Sequence, residues 1–264
     1  MNQKNLGEKP GREMETLQLA AQMIMENGGE TFRAEETVRR MGEGFGLRQV
    51  ESFAVPSGLF ISYRTPEDQL ITSVRRVHHR RTDLSVVDAV NQVSREAAAG
   101  RISAGDALNR LEEVGRLAEK PSRAFSILAA AICAAGFVFL FHGGWRDSLV
   151  SAVIAGLVQG VSLGLSRIHD SGIGANILGG LLTALLPSLA VGWIPGLNTE
   201  AIIAGALMPL VPGLAMTNAV QDTLRGDMVS GLSHGVSALL TACLIAGGAL
   251  LSPALIRLIS GGGL

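Results

Sequence analysis

The chain has 264 residues, 47% of them hydrophobic, and a formal net charge of −1. That balance gives no footing for a nucleic-acid partner, whose footprint is a clustered basic surface. The charge is unevenly spread, because residues 1–123 carry 18 Lys/Arg and 18 Asp/Glu while residues 124–264 carry only 4 and 5.

The first dozen residues, MNQKNLGEKPGR, hold no apolar stretch, so no secretory signal is expected. Met14, Leu17, Ala21 and Ile24 then recur at helical spacing as far as Asn27-Gly28-Gly29, a C-terminal stop. Phe32, Val38, Met41 and Phe45 predict a second helix, with Thr31 as its N-cap and Glu35 and Glu36 at the positive end of its dipole. Next the period drops to two. Phe53 and Val55, a Pro56-Ser57-Gly58 turn, and Leu59, Ile61 and Tyr63 read as a hairpin. Residues 65–68 (TPED) make a second turn before a strand near 70–77. Two more helices follow, each opened by an acidic capping pattern, Ser85 with Asp88 and Ser103 with Asp106. The order is ααβββαα, and about 120 residues suffice to bury a core. Residues 1–123 are therefore expected to form a small α+β domain.

Residues 124–264 read as helix throughout. A bilayer core needs about 20 apolar residues of helix, and five spans fit, near 124–141, 148–166, 174–194, 201–220 and 232–256. The fold class expected is an α-helical membrane protein of about five spans preceded by the α+β domain. With the N-terminus inside, Arg116, Lys120, Arg123, Arg167 and Arg225 are cytoplasmic and only Arg146 and Arg257 face out. This bias favours a cytoplasmic N-terminal domain. Cys133 and Cys243 fall inside apolar runs, without metal-ligand spacing, and are expected to be inert buried thiols.

Ala152, Gly156, Gly160 and Gly164 place a small residue at every fourth position of the second span, a stripe that lets a helix approach at backbone distance. Gln159 lies beside it at mid-span, where an amide either bonds a neighbouring helix or faces a solute path. The fourth span is interrupted by Pro209, Pro212 and Gly213. Broken backbone is tolerated in lipid only where protein buries it or a watered cavity lines it, and transporters aim such half-helices at anionic substrate groups. A second half-helix is expected to start at Gly213 and to carry Thr217, Asn218 and Asp222, the last two on one face. The alternative is a simple proline kink. Asp222 sits near a helix end that disfavours a carboxylate, and Arg225 is the nearest candidate partner.

His169-Asp170-Ser171 is expected to cap the third span, and Asn176 in its first turn to join a polar vestibule or bond the capping loop. His234 reads as an interfacial histidine or a proton relay, with Ser237 and Thr241 on its face bonding their own i−4 carbonyls. His78-His79 closes a basic strand and reads as surface, since neighbours on a strand point to opposite faces. No GxSxG, Walker, HExxH or CxxC motif is present, so no catalytic residue, metal or cofactor is expected.

Three stretches carry a family likeness: NGGETFRAEETVRRMGEGFGL at 27–47, VPSGLFISY at 55–63, and PLVPGLAMTNAVQDTLRGDMVSGLSHG at 209–235. The third fixes Pro212, Gly213, Asn218, Asp222, Gly226, Asp227 and Gly231 in one spacing. Through them the chain, from about residue 14 to 256, resembles the threonine/serine exporter family, in the form where the large subunit is a separate polypeptide. The resemblance implies export of small polar metabolites across the inner membrane, either hydroxy amino acids or dicarboxylates such as succinate. Full-length relatives carry a second membrane region of about five spans. Because this chain stops at Leu264, the resemblance implies a small transmembrane subunit as partner, or a homo-oligomer, with the Gly156/Gly160/Gly164 stripe as a docking face.

The leading expectation is thus a secondary-transporter subunit. Its solute path would use Pro209, Pro212, Gly213, Thr217, Asn218 and Asp222, lined further by Gln159 and Asn176, with alternating access coupled to the proton gradient or membrane potential. Arg33 in the polar domain is a candidate for regulation or assembly, unless it merely pairs with Glu30 or Glu36. The competing reading is a membrane-anchored sensor or hydrolase-like protein acting through residues 1–123, although Ser57, Thr72 and His78 show no triad logic beyond residue type. A passive channel lacks the charged rings such a filter needs.

Overall fold

The structure is a computed structural model that describes residues 11–78, 81–118, 122–165 and 172–259. His79, Lys120, Arg167 and the His169-Asp170-Ser171 cap lie outside these residues. Contacts divide the chain into two compact units. The first joins residues up to 119 with Met216–Gly235, and the second joins Lys120–Ala215 with Val236–Leu264.

In the first unit, helices α1 (Arg12–Glu26) and α2 (Thr31–Gly44) precede strands β1 (Arg48–Val55), β2 (Gly58–Arg64) and β3 (Leu70–Arg76), followed by α3 (Leu84–Ala98) and α4 (Ala104–Leu117). The sheet is antiparallel in the order β1-β2-β3, with Ser52 opposite Ile61 and Ile61 opposite Ser73. Its strands alternate, so Leu59, Ile61 and Tyr63 enter a core with Met14, Leu17, Ile24, Val38, Met41, Val90 and Leu111, all 1% exposed or less. Asn27 closes α1, Gly28 takes φ +88°, and the Gly29 amide donates to the Ile24 carbonyl at 2.9 Å. A side chain at Gly29 would meet Ile24, so Asn-Gly-Gly here serves both the turn and the close approach.

Two capping expectations need correction. Glu30, not Thr31, is the N-cap of α2, and neither side chain caps that helix. The N-cap of α3 is Asp83, and the Ser85 hydroxyl turns back onto its carboxylate instead of pairing with Asp88. Helix α4 does carry the full reciprocal box between Ser103 and Asp106.

In the second unit, α5 (Arg123–Leu140), α6 (Trp145–Leu165) and α7 (Ile173–Val191) are long and apolar enough to cross a membrane, as is the segment Met228–Leu258. That segment comprises α10 (Met228–Leu250) and most of α11 (Ser252–Ile259). Between them, α8 (Thr199–Leu207), a 3₁₀ turn (Met208–Leu210) and α9 (Gly213–Leu224) form a bent pair that counts as a fifth, broken span or as a re-entrant loop. The chain is thus a multi-pass helical protein with a small antiparallel sheet near its N-terminus.

Buried Ile154, Val158, Ile202 and Ala206 seat α8 on α6. The Ser151 hydroxyl donates to the Ile202 carbonyl at 3.2 Å, satisfying a polar atom that lipid would not. Asp147, buried at the start of α6, accepts the Gly144 amide at 2.7 Å and the Asn198 amide at 2.8 Å. It thereby ties the α5–α6 turn to the loop before α8 and brings Trp145 and Trp193, 65% and 87% exposed, to the same end of the unit. Cys133 is half-buried and Cys243 exposed, which corrects the expectation of two buried thiols: Cys243 lies on an outward face of α10.

The closest backbone approaches are not on the Ala152/Gly156/Gly160/Gly164 stripe. Gly156 and Gly160 make ordinary contact with Ile127 of α5, and Gly164 meets open space. Helices α7 and α10 instead meet through Gly180 and Gly248, where an added Cβ would stand 2.0 Å from the carbonyl oxygens of Ile245 and Ile177 respectively. No side chain fits there without parting the helices. Gly180→Leu or Gly248→Leu should therefore destabilise the protein by ~1–3 kcal/mol or more, while Gly164→Leu should be neutral. Thermal unfolding of the detergent-purified variants checks this, and equal melting for all three would contradict it.

Candidate functional site

Pro209 lies in the 3₁₀ turn and Pro212 in the break, and Gly213 opens α9. The chain breaks here for local reasons: Pro212 has no amide to continue a helix and restricts Val211 to the extended backbone it adopts, φ −63° and ψ 130°. The described residues of α9 bury only two side chains, Asn218 and Asp222, four residues apart on one face. Thr217 is exposed. Gln159 on α6 and Asn176 on α7 are half-buried in the second unit, whereas Asn218 and Asp222 belong to the first.

The face of α9 meets the polar domain. Asp222 is 1% exposed. One carboxylate oxygen accepts from the Thr31 hydroxyl at 3.3 Å, and the other lies 3.0 Å from His234 Nδ1. The Asn218 amide donates to the Gly28 carbonyl at 3.5 Å. The Thr31 hydroxyl also reaches Asp227 at 3.2 Å, so its single proton is shared between two carboxylates. Asp227 in turn accepts the Ser230 amide at 3.1 Å and so caps α10, while the Ser230 hydroxyl reaches the Ala54 carbonyl at 3.5 Å. Thr31 is the first helical residue of α2, after the N-cap position, and its hydroxyl serves this cluster.

Arg225 does not pair with Asp222. It follows the end of α9, and Gly226 at φ +88° reverses the chain, so helical i,i+3 proximity does not apply. Its guanidinium instead bonds Glu30 at 3.0 Å and lies 4.2 Å from the centre of the Phe32 ring. Arg33 also pairs with Glu30, at 3.4 Å, which is its bland expectation. Thr241 bonds its own i−4 carbonyl, that of Ser237.

Sequence reasoning missed His234 as the partner of Asp222, and Thr31 and Asp227 as members of one cluster. The available signal was that all three residues lie in the resemblance-carrying stretches, which meet here. The Thr72 hydroxyl bonds Ser62 at 2.9 Å, and His78 is exposed. Among the described residues no cluster of three or more His, Cys, Asp or Glu side chains could hold a metal.

Glu35 borders the cluster and accepts the Ala54 amide at 2.7 Å. Burial holds its carboxyl above the usual glutamate range, the charges of Asp227 and Asp222 add to that, and the Ala54 amide opposes it. A raised folded-state pKa contributes stability that is full below the ordinary glutamate value and is lost as pH rises through the raised value. Glu35→Gln keeps an acceptor for Ala54 and removes the charge. It should raise the melting temperature at neutral pH, with the gain vanishing on acidification. A gain independent of pH would contradict this. Thr31→Val should cost about 1–3 kcal/mol by leaving buried Asp222 short of a donor, read by the same melts.

Comparison with known proteins bears on this arrangement. The sequence profile of the family described as "Putative threonine/serine exporter" (ThrE) matches residues 15–256. A "Probable threonine/serine exporter" of Mycobacterium tuberculosis (strain ATCC 25618 / H37Rv) is 22% identical over 229 residues, covering 86% of this chain but 43% of that protein. This chain therefore spans less than half of that relative. A "Probable succinate transporter subunit YjjP" of Escherichia coli (strain K12) is 25% identical over 228 residues, 83% of this chain and 85% of the relative. The protein of the same description from Klebsiella aerogenes is 24% identical over 226 residues, covering 83% and 84%. No solved structure matches the chain. With its multi-pass helices and with the profile matched along most of its length, the chain belongs to the threonine/serine exporter family.

Proposed function

We propose that this chain is the large subunit of an inner-membrane secondary transporter that exports small carboxylate-bearing metabolites, threonine and serine or a dicarboxylate such as succinate. It acts with a small transmembrane subunit of the same family or as a homo-oligomer, and its polar domain is cytoplasmic. Family membership supports the activity, and the description of the YjjP relatives as subunits supports the partner. The observation that carries the reading is the break at Val211–Pro212, which starts a new helix at Gly213 with a polar face inside an otherwise apolar segment. A helix N-terminus carries the positive end of the helix dipole, and a carboxylate is common to all the candidate solutes.

The solute path runs along Pro209, Pro212, Gly213, Thr217, Asn218 and Asp222, with Gln159 and Asn176 as further lining. Asn218 and Asp222 are bonded to Gly28 and Thr31 of the polar domain, so this face is closed to solute. Opening those bonds is the step by which the polar domain gates transport. His234, 3.0 Å from the other Asp222 oxygen, remains the partner of that carboxylate when Thr31 leaves.

Counterflow in proteoliposomes tests the proposal, with labelled serine, threonine and succinate offered separately, with and without a small subunit of the family. Flux of one solute is expected only with the second subunit, and at least tenfold less in Asn218→Ala. Absence of flux for every solute and subunit would overturn the transporter reading. In Asp222→Asn the pH dependence of efflux should flatten; a normal profile would remove Asp222 from coupling.

A further inference from the structure

Helix α2 has a second polar face. Thr31 and Glu35 point to the Asp222 cluster, whereas Arg33, Glu36 and Arg40, spaced three and four apart, share another face. That face borders a cleft of about 630 Å³ within the first unit, shared with Arg95 of α3 and with Arg225. Its four arginines outnumber its two glutamates, Glu30 and Glu36, by two charges.

Those carboxylates are already divided. Glu30 serves both Arg33 and Arg225, and Glu36 serves Arg40. Arg95 makes no ion pair among the described residues. The Arg33, Arg40 and Arg225 side chains are 53%, 55% and 42% exposed, so their pairs are weakened by solvent and open to competition from another anion. Phe32 holds the Arg225 guanidinium over its ring, while Asn91 and Ser94 supply neutral hydrogen-bonding groups on the α3 side. The carbonyl end of α3 at Ala98 and Ala99 also borders the cleft and disfavours an anion, but a helix end carries only about half a charge. Guanidinium groups are planar, weakly hydrated donors suited to bidentate capture of carboxylate or phosphate. The volume is that of a metabolite site rather than a bare-ion site.

We propose that this cleft binds a small multivalent organic anion, a dicarboxylate or a phosphorylated metabolite, separately from the solute path. Binding draws Arg225 from Glu30, next to Thr31, and so reaches the Asp222 cluster from the polar domain. This regulatory consequence rests on the transporter reading; the binding itself does not.

The test is titration of the detergent-purified full chain with succinate, inorganic phosphate and serine, followed by calorimetry and thermal shift at fixed ionic strength. Saturable binding is expected for succinate or phosphate, and which of the two binds separates a carboxylate from a phosphate site. Serine, with no net charge, should not bind there. Arg95→Ala, at an exposed position, should weaken binding roughly tenfold, and Arg40→Ala with Arg95→Ala should abolish it. Binding should survive Asn218→Ala, which excludes the solute path as its source. No saturable binding by either anion, equal binding by serine that persists in Asn218→Ala, or binding unchanged in the double variant would each overturn the proposal. Cleft binding without transport would sink the exporter reading alone, and transport without cleft binding would sink this one alone.

Discussion

A carboxylate with 1% of its surface exposed persists only if its oxygens are bonded, because burying a charge without partners costs far more than one good contact returns. Asp222 meets that constraint with one hydroxyl from Thr31 and one imidazole from His234. The Thr31 donor lies 191 residues away, so together with the Thr31–Asp227 bond and the Arg225–Glu30 ion pair it ties Met216–Gly235 to the polar domain. The neighbouring bonds of Asn218 to Gly28 and of Ser230 to Ala54 are long, at 3.5 Å, and are accessories to it.

The three stretches that carry the family likeness look unrelated along the chain, but Gly28, Glu30 and Thr31 from the first meet Asn218, Asp222, Arg225 and Asp227 from the third. Ala54, the residue before the second stretch, joins through its carbonyl. Family membership is therefore written into the polar domain as much as into the helices that cross the membrane.

What local chemistry dictates was legible in the sequence. The Asn-Gly-Gly stop, the Ser103/Asp106 box, the hairpin and the helix start at Gly213 each depend on residues within one turn of each other. The shared face of Asn218 and Asp222 followed from four-residue spacing. Partner choice did not follow. Arg225 was the nearest cation to Asp222 along the chain, but it lies beyond the helix end and turns to Glu30. Thr31 had the residue type of an N-cap, but the helix begins at Thr31 itself, and its hydroxyl bonds long-range carboxylates. The close packing of Gly180 and Gly248 was hidden for a similar reason: the obvious four-residue stripe lay on α6, whereas the contact that needs glycine depends on which two helices meet.

Asp147 also has an optical consequence. By joining the α5–α6 turn to the loop before α8, it gathers both tryptophans of the chain, Trp145 and Trp193, at one end of the helical unit. The polar domain has none, and its Tyr63 is the only tyrosine of the chain and is buried. Indole rings favour the depth of the lipid headgroups. Tryptophan fluorescence thus originates from one end of the helical unit, and a quencher that cannot cross the bilayer distinguishes the two orientations of the protein in a vesicle without any label.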